Sequence, residues 1–154
     1  MKVLFLDIEG GHGGSSKSLF ELVKNIVLID ENVKIDVWCK KKGEIHNKYK
    51  EVGVFTRVVS SMPKVRAVPR FSRNVWMQII FFLIHWPKSR KFRRELLEES
   101  RNVDLIHFNH EGLYWLAFWL SRRTKVAMTM HIRTNPWDSF FARLQVKVID
   151  NCTS

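Results

Sequence analysis

Cysteine is rare in this 154-residue sequence, and internal repeats and low-complexity tracts are absent. The two cysteines, Cys39 and Cys152, are too few for a zinc site, and we expect free thiols rather than a disulfide. A hydrophobic content of 45% excludes a disordered chain. The length is that of one domain of ordinary size, which can bury a sizeable core.

Long hydrophobic segments are also missing. The stretch from Lys2 to Asp7 holds too few apolar residues for a secretory signal, and the apolar run from Val75 to Trp86 is too short to cross a bilayer. The sequence therefore predicts a cytoplasmic protein.

Acidic residues are absent from the stretch between Arg57 and Arg94. This stretch supplies about ten of the +11 net charge, because it contains ten basic residues: Arg57, Lys64, Arg66, Arg70, Arg73, Lys88, Arg90, Lys91, Arg93 and Arg94. Such an imbalance predicts an anionic partner. Nucleic acid is not favoured, since the aromatic residues here form an apolar block instead of alternating with Lys and Arg, and no nucleic-acid-binding signature is present.

An anionic lipid surface fits this stretch better. Tryptophans stand near both ends of the apolar run, and each Lys or Arg near such a surface contributes about 1 kcal/mol. The run is apolar on nearly every helical face, which is typical of a buried helix, so we expect a helix against the sheet with one edge exposed. The residues predicted to meet a membrane surface are Trp76, Trp86, Lys88, Arg90, Lys91, Arg93 and Arg94.

A glycine-rich turn, Gly10 to Gly14, separates a first apolar strand from a helix. Open backbone amides and the helix dipole favour an anion at such a position, so we predict a phosphate-facing turn. Ser15, Ser16 and Ser18 are expected to cap the helix. The alternative is a flexible loop without a ligand.

Two nucleotide-binding fingerprints nearly match this turn. Lys17-Ser18 fits a Walker A loop, but Ser16 stands where the second glycine belongs, and the strand Leu105 to Asn109 lacks an acidic residue for magnesium. Ser16 also replaces the third glycine of a dinucleotide-binding loop, and Lys40 to Lys42 stand where a ribose-binding carboxylate is expected. The turn therefore belongs to neither class, and no metal site is predicted.

Apolar runs and helical stripes alternate along the chain. This order predicts an α/β protein with a doubly wound, mostly parallel Rossmann-like sheet and helices on both faces. The predicted strands are Lys2 to Asp7, Ile35 to Cys39, Val54 to Val59, Leu105 to Asn109, Val126 to Met130 and Val146 to Ile149. The predicted helices are Ser16 to Leu28, Asn74 to Trp86, Pro87 to Ser100, Leu113 to Arg122 and Trp137 to Leu144.

Polar residues follow three of the predicted strands. The glycine turn follows the first strand, His110 and Glu111 the fourth, and His131, Arg133 and Asn135 the fifth. Because the carboxyl ends of parallel strands share one sheet edge, we expect a ligand site there. His46 and His85 do not follow a predicted strand together with other polar residues, so we expect them to be structural.

Three motifs carry a resemblance to a known family. They are the turn Gly10-Gly11-x-Gly13-Gly14-Ser15 followed by Ser18-Leu19, the strand Val103 to His110, and the strand end Met130-His131-Ile132-Arg133. In this order they resemble the N-terminal half of a GT-B glycosyltransferase of the family 4 type, and the similarity extends along nearly the whole chain. In that family the N-terminal domain holds the acceptor and a second Rossmann-like domain holds the nucleotide-sugar.

The resemblance implies roles for individual residues. Gly13, Gly14 and Ser15 would lie beside the donor diphosphate, and His131 would face the transferred sugar as the catalytic residue. The residues implied to bind the acceptor are His110, Glu111, Arg133 and Asn135, with the Arg133 guanidinium suited to a bidentate contact with an anion. The resemblance further implies a nucleotide-sugar donor and a reaction that retains configuration at the anomeric carbon, with no other cofactor.

The chain departs from the family because the donor-binding domain is missing. We therefore expect one acceptor-side domain over residues 1–154 that is inactive alone. In the complete enzyme it would act at the inner face of the plasma membrane on a glycan or lipid-linked acceptor. The alternatives are a P-loop-like nucleotide-binding enzyme and a non-enzymatic membrane-surface module.

Overall fold

The computed structural model describes residues 1–11, 13–63 and 75–132. Several expectations lie outside these residues: His12, Lys64, Arg66, Arg70, Arg73, Arg133, Asn135, Cys152, the helix Trp137 to Leu144 and the strand Val146 to Ile149.

The described strands form one parallel sheet. They are β1 (Lys2–Asp7), β2 (Lys34–Cys39), β3 (Phe55–Val58), β4 (Leu105–Phe108) and β5 (Ala127–Met130), in the order β3-β2-β1-β4-β5. The central strand β1 pairs with both β2 and β4, so the strand order reverses at this point. A reversal of this kind opens a crevice at the carboxyl ends of the strands, where ligands of doubly wound folds bind.

The helices lie on both faces of the sheet, as predicted. Side chains alternate along β1, so that Val3 and Phe5 join one apolar cluster while Leu4 and Leu6 join another. The first cluster includes residues of α1 (Gly14–Ile29) and α2 (Ile45–Glu51), and the second includes residues of α4 (Arg90–Glu99) and α5 (Tyr114–Ser121). The remaining described helix is α3 (Val75–Lys88), and a 3-10 turn, Glu111–Leu113, precedes α5.

Two predictions about the helices are wrong, each for a physical reason. The sequence analysis missed α2, because its seven residues include only two apolar positions, Ile45 and Tyr49, and four charged or amide residues. The helix predicted over Pro87 to Ser100 does not begin at Pro87. This proline lies in the last turn of α3, and the two helices are separated at Ser89. The Ser89 hydroxyl donates to the Trp86 carbonyl at 2.7 Å and satisfies one acceptor at the end of α3.

The helices of the described residues include no segment with both the length and the apolar character needed to cross a bilayer.

Candidate functional site

A buried carboxylate organises the carboxyl end of β1. Asp7 is fully buried, and its Oδ2 accepts hydrogen bonds from the Ser16 hydroxyl at 2.5 Å and the Gly10 backbone N–H at 3.2 Å. Its Oδ1 accepts from the Asn109 side-chain amide at 3.4 Å and the Glu9 backbone N–H at 3.3 Å. The glycine turn, the first turn of α1 and the end of β4 are therefore held together at one point.

The serine caps predicted for α1 are not formed. The helix begins after Gly13, which is extended and makes no side-chain cap. The Ser16 hydroxyl turns to Asp7, and the Ser18 hydroxyl donates to the Gly14 carbonyl within the helix at 2.9 Å. The Asp7 carboxylate is a stronger hydrogen-bond acceptor for the Ser16 hydroxyl than a neutral group would be. The charge-assisted bond also offsets part of the cost of burying the carboxylate.

Two of the glycines are required by packing against the β2–α2 connection. Gly10 and Gly11 have φ values of 69° and 104°, in the left-handed region that favours glycine. A β-carbon at Gly10 would overlap the Lys41 carbonyl, and one at Gly11 would lie 2.8 Å from Cβ of Ile45. The first half of the turn therefore closes the gap between β1 and β2.

The second half of the turn faces an acidic side chain. A β-carbon at Gly13 would overlap Oε2 of Glu9, whereas one at Gly14 would meet open space. The Glu9 carboxylate thus lies beside the start of α1, the position predicted for a donor diphosphate. A diphosphate that binds beside Gly13 must displace this carboxylate, because two anions repel at such close range.

His110 and Glu111 lie at the carboxyl end of β4, as predicted. The Gly112 backbone N–H donates to Nδ1 of His110 at 2.8 Å, which caps the 3-10 turn and leaves Nε2 as the ring's N–H in the neutral form. The Glu111 carboxylate is only 4% exposed and lies 3.5 Å from the same Nδ1. The pair therefore joins a buried acid to an imidazole at the sheet edge.

His131 follows β5 at the same edge. Its backbone N–H donates to the Phe108 carbonyl at 2.8 Å, which ties the end of β5 to the end of β4, and its side chain is exposed. The structure therefore brings Gly13, Gly14 and Ser15 to the same edge as His110, Glu111 and His131. Arg133 and Asn135 lie outside the described residues.

Asp7 and Asn109 are the site residues that the sequence analysis missed. The available signal was an aspartate between a buried strand and a glycine turn, since the successive amides of such a turn need an acceptor. Asn109 also donates to the Ser15 carbonyl at 3.2 Å, so it holds the turn from the β4 side.

The thiol and phenol nearest this network are buried and unreactive. Burial, together with the charge of Asp7, raises the pKa of the Cys39 thiol well above its usual range. Burial likewise raises the pKa of the Tyr49 phenol. Neither group forms an anion at neutral pH, so neither is suited to act as a nucleophile.

The predicted membrane residues lie on α3 and α4. Four exposed side chains of α3 form what we call the apolar stripe: Trp76, Ile80, and the adjacent Leu83 and Ile84, which follow Ile80 by three and four residues. Four exposed cations beyond it form the basic segment: Lys88, Arg90, Lys91 and Arg94. The inner edge of α3 contacts α5, where the Phe82 and Trp115 rings lie 5.5 Å apart.

Arg93 does not share the exposure of the basic segment. Its guanidinium lies 4.2 Å from the ring centre of Trp86 and 5.2 Å from that of Trp119, and it donates to the Trp86 carbonyl at 3.3 Å. Desolvation and the neighbouring cations Arg123 and Arg90 lower the pKa of Arg93. Trp86 is correspondingly half-buried, so these two residues join α3 and α4 to α5.

Among the described residues, no group of three or more His, Cys, Asp or Glu side chains is arranged to hold a metal ion.

No protein-family model and no curated protein matches the sequence. Among solved structures, the chain is similar to HepE (Alr3699) of Anabaena in complex with UDP and glucose, with a TM-score of 0.62, 16% identity, and coverage of 99% of this chain and 35% of HepE. The UDP-glucose complex of HepE gives a TM-score of 0.62, 16% identity, and coverage of 99% and 34%.

A further similar structure is the apo form of the lipopolysaccharide outer core galactosyltransferase WaaB. It gives a TM-score of 0.48 and 12% identity, with coverage of 96% of this chain and 37% of WaaB. The chain thus spans about a third of the length of the proteins it resembles. With its parallel sheet reversed at β1 and helices on both faces, the chain has the Rossmann-like fold of one half of a GT-B glycosyltransferase.

Proposed function

We propose that this chain is the acceptor-binding N-terminal half of a nucleotide-sugar-dependent glycosyltransferase. The observation that carries the proposal is the glycine turn at the β1 switch point of a fold shared with HepE, a protein whose solved structures contain UDP-glucose. A second, donor-binding half would complete the cleft. The isolated chain is then inactive, because transfer requires donor and acceptor to be held together.

The residues of the sheet edge divide between the two substrates. The open backbone beside Gly14 and Ser15, with Gly13, faces the donor diphosphate and stabilises its charge as it leaves. The exposed imidazole of His131 faces the sugar being transferred, in a reaction that retains the anomeric configuration. The acceptor is held by His110 and Glu111, together with Arg133 and Asn135. No cofactor or metal is needed beyond the nucleotide-sugar itself.

The acceptor is a glycan or a lipid-linked glycan at the inner face of the plasma membrane. Support comes from the apolar stripe and the basic segment, which follow each other on two consecutive helices and suit an interface with anionic lipid. The protein is accordingly peripheral to the membrane on its cytoplasmic side.

The decisive experiment measures turnover in the protein that combines this chain with a donor-binding half. Sugar-nucleotide consumption with a glycan acceptor is compared between the unmodified protein, His131→Ala and the control His85→Ala on α3. We expect His131→Ala to lower kcat by tenfold or more at an unchanged melting temperature, since a polar group at the cleft acts on the transition state. His85→Ala should stay within twofold of the unmodified protein.

Two results would overturn the proposal. Unchanged turnover in His131→Ala removes the catalytic role of this histidine. Micromolar, magnesium-dependent binding of ATP by this chain alone, measured by calorimetry, would favour a P-loop-like enzyme instead.

A further inference from the structure

A cavity of about 510 Å³ opens between α2, the connection that precedes it and β3. Its wall is rich in hydrogen-bond donors and positive charge, and includes Lys42, Glu44, His46, Asn47, Lys50 and Thr56. None of these residues belongs to the candidate glycosyltransferase site described above. The cavity is nevertheless close to that site, since Gly11 of the glycine turn packs directly on Ile45 at the start of α2.

The basic residues of this cavity are regularly spaced. Lys42, His46 and Lys50 are four residues apart, and His46 and Lys50 therefore share one face of α2. Both lysines are exposed, so their ammonium groups can reach a ligand at the mouth of the cavity. Glu44 is the acidic member of the wall and opposes them.

His46 has an unmet hydrogen-bonding requirement. The residue is only 8% exposed, and neither of its ring nitrogens has a hydrogen-bond partner among the described residues. Buried polar atoms without partners are rare in folded proteins, because they lose their bonds to water and gain nothing in exchange. The imidazole lines the same cavity as Lys42 and Lys50, and an anion held by these lysines would offer the acceptor that it lacks.

We infer that this cavity is a binding site for a phosphate group. A phosphate carries a charge near −2 and three strong acceptor oxygens, which match two ammonium groups and an imidazole N–H. The Asn47 amide and the Thr56 hydroxyl are further donors in the same wall. Both ring nitrogens of His46 are covered by protein atoms, so donation to a bound phosphate requires the imidazole to turn towards the cavity. This inference does not depend on the proposed glycosyltransferase function.

The protonation of His46 agrees with the geometry. Burial lowers its pKa, and the charges of Lys50 and Lys42 lower it further, while Asp7 acts in the opposite direction. A bound phosphate would oppose both lysines and raise this pKa. The imidazole of His46 is therefore a reporter of occupancy as well as a ligand.

The test is an NMR titration of the His46 ring with inorganic phosphate at constant ionic strength and pH 7. We expect a saturable shift in the unmodified chain. Lys50→Gln should weaken binding by about tenfold, since it removes one of two cations. The matched control is Lys48→Gln, which removes the same charge from an exposed position of α2 outside the cavity, and should stay within twofold. Glu44→Gln removes the opposing charge and should tighten binding.

Three outcomes would overturn the inference: no saturable shift, equal losses in Lys50→Gln and Lys48→Gln, or a Glu44→Gln variant that binds more weakly. All three substitutions are at exposed positions, so folding does not limit the test. Glycerol 3-phosphate and phosphatidylcholine vesicles containing phosphatidic acid then distinguish a soluble phosphate ester from a lipid headgroup. Competition with inorganic phosphate by either ligand identifies the source, and competition by neither limits the site to free phosphate.

Discussion

The Asp7 carboxylate accepts hydrogen bonds from the glycine turn, from α1 and from Asn109 after β4. Its bonding partners include Ser16 nine residues away and Asn109 about a hundred residues away. Such a carboxylate acts on the site by positioning the turn, and it contacts no substrate in the arrangement proposed above.

Replacing Asp7 by Asn tests this positioning role. The amide keeps the size of the carboxylate but presents an NH2 group to donors, so at least one buried hydrogen bond is lost. We expect a loss of about 1–3 kcal/mol in the free energy of unfolding, which is the usual effect of one unsatisfied buried polar group. Urea denaturation measures this change. Asp30→Asn, at an exposed carboxylate that accepts one backbone N–H from Asn32, should cost less than about 0.5 kcal/mol. Equal effects would show that Asp7 has no special role.

His46 predicts a pH dependence of stability. Its pKa in the folded protein is lowered, first by burial and then by Lys50 and Lys42, so the unfolded chain binds a proton more readily. The neutral imidazole therefore contributes stability above the unfolded pKa of about 6.5, and this contribution is lost as the pH falls. We expect His46→Gln to show a smaller difference in urea midpoint between pH 7.5 and pH 5.5. The measurement is made without phosphate, and an identical pH dependence in both proteins would contradict the expectation.

At the scale of elements, α3 carries the apolar stripe and Lys88, and α4 carries the other three cations of the basic segment. Ser89 separates the two helices, and Arg93 holds α4 to α3 through the Trp86 ring. The apolar stripe and the basic segment are then presented by two helices that are fixed to each other. Because Arg93 belongs to this joint, a change at this residue would alter folding as well as charge.

Binding to vesicles should depend on the basic segment. We expect sedimentation with vesicles rich in anionic lipid to weaken with rising salt, as the screening of surface charge requires. Replacement of Lys88, Arg90, Lys91 and Arg94 by Gln should lower the apparent affinity at least tenfold, given about 1 kcal/mol for each charge. Arg93 is left unchanged.

A control variant that loses the same number of positive charges distinguishes binding by the basic segment from attraction of the chain's net positive charge to anionic lipid. Lys24, Lys34, Lys48 and Arg101 are exposed and lie on other parts of the chain, so their replacement by Gln should lower binding far less. Equal binding of the unmodified chain to neutral and anionic vesicles at low salt would contradict the electrostatic explanation.

At the scale of the molecule, the order of elements could be predicted from hydrophobic periodicity. The five described strands begin and end within one residue of their predicted bounds, because the buried strands of a parallel sheet are short, dense apolar runs. The strand ends share one edge because the sheet is parallel. The reversal at β1 follows from helices on both faces, because right-handed crossovers reach the second face only where the strand order reverses. The α/β architecture is confirmed by the pairing of the strands and by the similarity to HepE.

The contacts within the site could not be predicted in the same way. The serines before Leu19 match a capping pattern, yet Ser16 bonds to a carboxylate that only the folded chain brings near. The Glu9 side chain beside Gly13 is likewise a product of the turn's backbone path. A local sequence pattern indicates which secondary structure or cap a segment favours on its own. The hydrogen-bond partners of buried polar groups are determined by tertiary contacts, which such a pattern does not contain.

The central position of β1 determines when the sheet can form during synthesis. Val3 pairs with Leu105, so about a hundred further residues are synthesised after β1 before its second neighbour exists. At ordinary rates of translation this delay lasts roughly 5–20 s. For that time β1 and β2 expose the apolar face, including Leu4, Leu6 and Trp38, that α4 and β4 later cover. A nascent chain of this kind is a natural client for chaperones that bind apolar segments.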